Sequence, residues 1–267
     1  MRRDGAGGVS PAPAVVNTGL GLHMLRRRGF TLVEVMIVLS IIMLLTVIAL
    51  TGLGAVRDSA NNAACRNNLR QLAEATGCYL NENARTYFPY QQNVSGGVQW
   101  YFGFEANTGS KKEGERLIDL TRAPLHQYGI SGDIVNCPEL TAMFRGPGFK
   151  PKFVTQSTSY GYNILLSGKR AVEVKIPGET ILFADCAQIN TFQSPASPNH
   201  PLLEEFYIVG PGYKTIHFRH NGRANVVFCD GHIASFTPVN GKKDTRMKGV
   251  MVGEVDAKLF FLESAKK

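Results

Sequence analysis

The sequence predicts an α+β fold: a long N-terminal helix, half of it transmembrane, packed against a mostly antiparallel β-sheet head. Three observations predict it. Residues 30–53 form an apolar run with one ionisable member, Glu34. Apolar residues at helical spacing then continue to about residue 83. Beyond residue 158, short β-branched and aromatic segments alternate with turn signals, including Asn221-Gly222 and Asp230-Gly231.

Length and charge bound the function classes. With 267 residues, 44% of them hydrophobic, the chain can bury one sizeable core beside an anchor. The formal charge is +8, but residues 1–29 hold five Arg and one Asp, which leaves only +4 for the rest. Beyond residue 28, Lys and Arg occur at most in pairs such as Lys111-Lys112 and Lys242-Lys243, so no nucleic acid is expected as a partner.

The 24 residues 30–53 would reach about 36 Å as a helix, enough to cross a hydrocarbon layer of about 30 Å. Arg26, Arg27 and Arg28 directly precede the run, which places that end in the cytoplasm and the head outside. The run is too long for the apolar core of a conventional secretory signal. A plain anchor accounts for its length but not for Glu34, a carboxylate that is costly inside an apolar helix unless it has a partner. Cleavage between Gly29 and Phe30 would create an α-amino group four residues from Glu34, and pairing of the two, across neighbouring subunits, would offset the burial of both.

These residues, RRRG-FTLVEVMIVLSIIMLL, resemble the prepilin processing and N-methylation signal of type IV pilins and type II secretion pseudopilins. The resemblance implies that a prepilin peptidase reads Gly29, that Phe30 becomes the methylated N-terminus, and that Glu34 sets subunit register during assembly. It also implies a pilin-like fold, other pilin-like subunits and an inner-membrane assembly platform as partners, and an inner-membrane location that extends to an extracytoplasmic filament. Residues 1–29 read as the leader. Within it, residues 24–29 alone would make a short basic leader, so Met24 is the expected start, the alternative being a long cleaved leader.

Residues 54–83 read as an amphipathic continuation of the helix, with Cys65, Leu69, Leu72, Ala73, Thr76 and Leu80 on the apolar face and Arg66, Arg70, Gln71 and Glu74 turned away. The head is expected over residues 84–267. Residues 91–150 read as a short strand and a long loop with a short helix near 116–130, and strands are expected at 159–165, 171–176, 180–187 and 206–210, with a loop at 191–205. Residues 214–237 read as a three-stranded β-meander, Val226 and Phe228 facing one side, Val227 and Cys229 the other.

That C-terminal segment resembles a second signature, the His-x9-Asp-Gly region of a large family that carries the prepilin signal, here His220 and Asp230-Gly231. The resemblance assigns it no biochemical role. His220 and Asp230 could pair across a strand end, with His217 and His232 near them. The preferred reading is structural, Asp230 opening a turn and His220 packing on the hairpin. Calcium or another metal is the weaker alternative, with Asp133, Asp185, Glu204 and Glu205 as further oxygen ligands. Catalysis is weaker still, because the spacing places no nucleophile.

Cys65, Cys78, Cys137, Cys186 and Cys229 show no Cys-x-x-Cys or Cys/His ligand spacing, so no structural zinc is expected. Two disulfides and a leftover thiol, or five buried thiols, are both compatible with an exported head. If Cys65 forms a disulfide, Cys137 is its expected partner. The expected function is therefore a structural pilus or pseudopilus subunit, not an enzyme and with no cofactor. The alternative is a membrane-anchored exported binding protein that does not polymerise.

Overall fold

The computed structural model describes residues 29–107, 111–144, 146–155 and 158–263; the side chains of residues 49–52 and of Asp133 lie outside that description. Of residues 1–29, read as the leader, all but Gly29 also lie outside the described residues, including Arg26 to Arg28 and the expected start at Met24. The chain divides into two compact units, one ending at Thr51 and one beginning at Gly52. Helix α1 spans Leu32–Glu82.

In the first unit the described α1 side chains are exposed, among them Leu32, Met36, Ile37, Met43 and Leu44. Such an apolar surface has no solvent partner in water, and the helix is long and apolar enough to cross a membrane. In the second unit α1 becomes amphipathic, burying Cys65, Leu69, Leu72, Ala75 and Thr76 while Arg70 and Glu74 stay exposed. The helix stops where Ala84 and Arg85 take positive φ angles of 51° and 56°. Asn83 and Arg85 then donate their N–H groups to the orphan carbonyls of Tyr79 (3.0 Å) and Leu80 (2.8 Å).

The second unit is built on a five-stranded sheet of order β11-β10-β5-β4-β8, formed by β4 (Tyr160–Asn163), β5 (Ile181–Asp185), β8 (Ile208–Val209), β10 (Ala224–Phe228) and β11 (Ile233–Phe236). All its pairs are antiparallel except β4 with β8. Its two faces feed two cores. Val227 and Cys229 join Leu69, Leu72, Phe88 and Tyr162 on the α1 side, and Val226 and Phe228 join Ile181, Phe218 and Phe260 on the other, the division that the alternation in this strand predicts. The register shift at Val227/Phe228 skips Leu182, which lets Leu182 and Phe183 both enter the α1-side core.

Several segments depart from the sequence expectation. The Gly-rich stretch forms a three-stranded antiparallel sheet, β1 (Gln91–Val94), β2 (Gly97–Trp100) and β3 (Gly103–Ala106). A Cβ on Gly97 would lie 2.0 Å from the Glu105 carbonyl oxygen, so this glycine permits close strand approach rather than marking a loop. Residues 116–130 hold two 3-10 turns, Leu120–Arg122 and His126–Tyr128; the helices of this region are short, α2 (Gly132–Val135) and α3 (Pro138–Met143). In place of a strand at 171–176 there is a single 3-10 turn, Ala171–Glu173, closed by Glu173 accepting the Arg170 N–H at 2.8 Å. The loop expected at 191–205 ends in β7 (Leu202–Glu204), paired with β6 (Gln188–Asn190).

The three-stranded meander also gives way. The Asn221-Gly222 turn forms with positive φ at both residues and closes the His220–Arg223 bridge. Beyond it, β9 (Ile216–His217) pairs with β12 (Val252–Gly253), and β10 is taken by β5 and β11. Only the β10–β11 hairpin remains of the meander.

Candidate functional site

Two places carry the chemistry that the sequence singles out. At the N-terminus of α1, Gly29, Phe30 and Glu34 are exposed. Glu34 Oε2 accepts from the Thr31 N–H (2.8 Å) and the Thr31 hydroxyl (2.9 Å), and Thr31 Oγ1 accepts the Glu34 N–H (3.2 Å). This is a reciprocal capping box, which satisfies two of the orphan N–H groups of the helix start. Glu34 thus has a partner within its own chain. The Thr-x-x-Glu spacing is the sequence signal for it.

The second place lies inside the head, where four chain segments meet. Cys65 projects from α1; Cys137 caps α3, its N–H donating to Ser159 Oγ at 2.8 Å; Asp185 ends β5; and Arg219 and His220 follow β9. His217 and Arg219 alternate with Phe218, which enters the opposite core, so strand periodicity points both polar side chains inward. All of these residues are buried.

Asp185 is the hub of the cluster. Its Oδ1 accepts from Arg219 Nη2 (2.6 Å) and from the Cys65 thiol (3.1 Å), and its Oδ2 from the Asn225 N–H (2.7 Å), with His220 Nε2 3.4 Å away. Arg219 further donates Nε to Cys137 Sγ (3.3 Å), Nη1 to the Cys186 carbonyl (3.3 Å) and Nη2 to the Ser159 carbonyl (2.7 Å); His217 Nδ1 lies 3.3 Å from Nη1. His220 Nε2 is also 3.6 Å from Cys137 Sγ.

The electrostatics follow from burial and from the guanidinium. Burial raises the Asp185 carboxyl, against the pull of Arg219. Burial and the Arg219 charge hold His217 neutral, well below the usual imidazole range. Burial also raises the Cys65 thiol, whereas Cys137 is lowered despite its burial, because Cys65, Arg219 and His220 all favour its thiolate. Cys65 and Cys137 are free thiols in the structure. They are neighbours, as a disulfide between them would require, but not bonded.

The possible pairing of His220 with Asp230 does not form, and Asp230 opens a turn, as the preferred reading has it. Asp230 sits on the β10–β11 turn, its Oδ1 accepting the His232 N–H (3.1 Å) and meeting His232 Nδ1 (2.7 Å), and Gly231 supplies the positive φ of 89°. His217 and His220 point instead into the buried cluster, so only His232 accompanies Asp230. Strand direction separates them: the histidine lies before the Asn221-Gly222 turn and the aspartate at the far end of β10. Asp230→Ala is therefore expected to cost no more than about 1 kcal/mol in urea denaturation, the worth of one exposed turn contact. A loss several times larger would mean that Asp230 has a buried role.

The other candidate oxygen ligands are dispersed. Glu204 is held by Lys152 Nζ (2.7 Å), Gln188 and Asn190 (2.9 Å), and Glu205 accepts the Lys152 N–H at 3.1 Å. The side chain of Asp133 lies outside the described residues. Sequence reasoning did not single out Arg219, although its two-residue offset from His217 on a short apolar strand is a signal that it faces the same way.

Comparison with known proteins bears on the first place. Residues 24–50 match the model of the prokaryotic N-terminal methylation motif. The chain is also 24% identical over 230 residues to the type IV major pilin protein PilA of Myxococcus xanthus (strain DK1622), an alignment that covers 84% of this chain and 95% of that pilin. No solved structure matches the chain. The motif at 24–50, the apolar helix behind it, the α+β head and a similarity that runs across most of both chains make this chain similar to the type IV pilins.

Proposed function

We propose that the chain is a structural subunit or minor component of a type IV pilus or a type II secretion pseudopilus, with no catalytic role of its own. Prepilin peptidase cuts between Gly29 and Phe30, the α1 residues up to 53 anchor the product in the inner membrane with the N-terminus cytoplasmic, and an inner-membrane assembly platform passes it to other pilin-like subunits. One observation carries this reading: a methylation motif whose Glu34 stands in the first turn of a helix that keeps its apolar side chains exposed. An exposed apolar helix needs lipid or neighbouring helices to cover it, and a pilin-like assembly supplies both in turn.

In the assembly step, Glu34 exchanges its Thr31 capping bonds for the α-amino group of Phe30 on a neighbouring subunit. Charge neutralisation then offsets the burial of both groups among apolar helices.

The test is to express the chain with and without a competent prepilin peptidase and measure the N-terminal mass. The expected product begins at methylated Phe30 and is absent when Gly29 is replaced by a bulky residue. Glu34→Gln is expected to be cut as usual yet to be lost from sheared filaments and from helix cross-links. An uncut chain in the presence of active peptidase, or filaments unaffected by Glu34→Gln, would overturn the reading.

A further inference from the structure

We propose that Cys65, Cys137, Asp185 and His220 bind one divalent ion of the zinc class, which staples α1 to three separate segments of the head. Each residue offers one ligand atom, and the four atoms lie within 4.8 Å of one another, all from buried side chains. A tetrahedral ion with bonds of about 2.0–2.3 Å sets its ligand atoms about 3.3–3.8 Å apart. Cys137 Sγ to His220 Nε2 is 3.6 Å and His220 Nε2 to Asp185 Oδ2 is 3.4 Å, while Cys65 Sγ lies 3.1 Å from the other Asp185 oxygen, Oδ1. Small side-chain adjustments suffice to admit an ion at the centre.

The chemistry of the donors selects the metal. Two sulfurs, one imidazole and one carboxylate suit zinc and its relatives, whereas calcium takes six to eight hard oxygen ligands. Charge closes as well. Two thiolates and a carboxylate bring three negative charges, which a dication and the Arg219 guanidinium cancel, the remaining thiol protons leaving to water when the ion enters.

Outer partners are in place around the ligands. Arg219 donates to both Asp185 and Cys137, and Asn225 N–H holds Asp185 Oδ2. A polar cleft of about 150 Å³, lined by Asp58, Ser59, Asn62 and Glu139, reaches His220 and Arg219, and its two carboxylates favour a cation on the way in. The His of the His-x9-Asp-Gly signature thereby acquires a ligand role, and the Asp-Gly remains a turn.

The test uses the full-length chain in detergent, reduced, stripped of metal and titrated with zinc, then with cobalt(II) as an optical probe. The expected result is about one ion per chain, thiolate-to-cobalt charge-transfer absorption, and, in urea that opens the metal-free head, zinc-dependent protection of the buried Cys65 and Cys137 from alkylation while the exposed Cys78 still reacts. Cys65→Ser and His220→Ala should each weaken binding by about 100-fold, and Cys78→Ser should leave it unchanged. Should a variant fail to fold, the wild-type spectrum and protection decide alone. The proposal is overturned if the reduced wild-type chain binds no ion, if bound cobalt shows no sulfur charge transfer, or if the exported chain is lighter by two hydrogens through a Cys65–Cys137 disulfide. Metal content is read on cut and uncut chains alike, so the outcome is independent of pilin processing.

Discussion

Arg219→Met is expected to destabilise the head by about 3–5 kcal/mol, measured by urea denaturation in the presence of a chelator. The guanidinium and the Asp185 carboxylate are both fully buried and meet at 2.6 Å, so deleting the cation leaves an unpaired carboxylate in a medium that cannot solvate it. Met keeps most of the side-chain volume, which separates the charge effect from a cavity. Two carbonyls, of Ser159 and Cys186, would lose a donor at the same time. For a head of this size such a loss lowers the melting temperature by roughly 6–20 °C. Arg219→Met combined with Asp185→Asn should recover part of the loss, since the stranded charge is then gone. A change under about 1 kcal/mol would show that water reaches Asp185 and that the cluster is open.

The second large effect is a stability that falls as pH rises. Burial pushes the Glu205 carboxyl up to about 7, against its own backbone and Lys152, which favour the ionised form, while the neighbouring Glu204 adds to the rise. Among the described residues its Oε2 has no hydrogen-bond partner, so the ionised form is poorly served. The unfolded chain loses this proton near 4.5, the folded chain near 7, so between those values the folded state binds the extra proton. Its contribution is therefore whole below about pH 4.5 and gone above about pH 7, a fall of about 3 kcal/mol at 1.36 kcal/mol per unit. Other groups titrate in the same window, so the measurement is the difference between wild type and Glu205→Gln in urea at closely spaced pH values. The variant should flatten that fall. Parallel curves would refute the assignment to Glu205.

Features governed by neighbours in sequence were legible without the fold. The helical stripe of Cys65, Leu69 and Leu72 is set by a 3.6-residue period, and the opposed faces of Val226 and Val227 by a two-residue period. Turn chemistry was equally local: Asn221-Gly222 and Asp230-Gly231 both form the turns their residue types demand. The Thr31–Glu34 capping box belongs to the same class. By contrast, the three-stranded sheet around Gly97 resembled one short strand and a loop because its glycine answers to a backbone across the sheet, and the 171–176 alternation resembled a strand because Glu173 is bonded locally instead.

By itself, the sequence determined the membrane-length helix, the N-terminal methylation motif at 24–50 and the α+β class, because each rests on residue type and short-range spacing. Only the tertiary structure decided what His220 faces and that Cys65 and Cys137 meet Asp185 as free thiols. The order β11-β10-β5-β4-β8 carries Asp185 to the place where α1, the α3 cap and the chain after β9 converge, and no spacing along the chain encodes that meeting. Burial then does the rest: once water is excluded, Asp185, Arg219 and their neighbours must satisfy one another, and that mutual requirement exists only in the folded head.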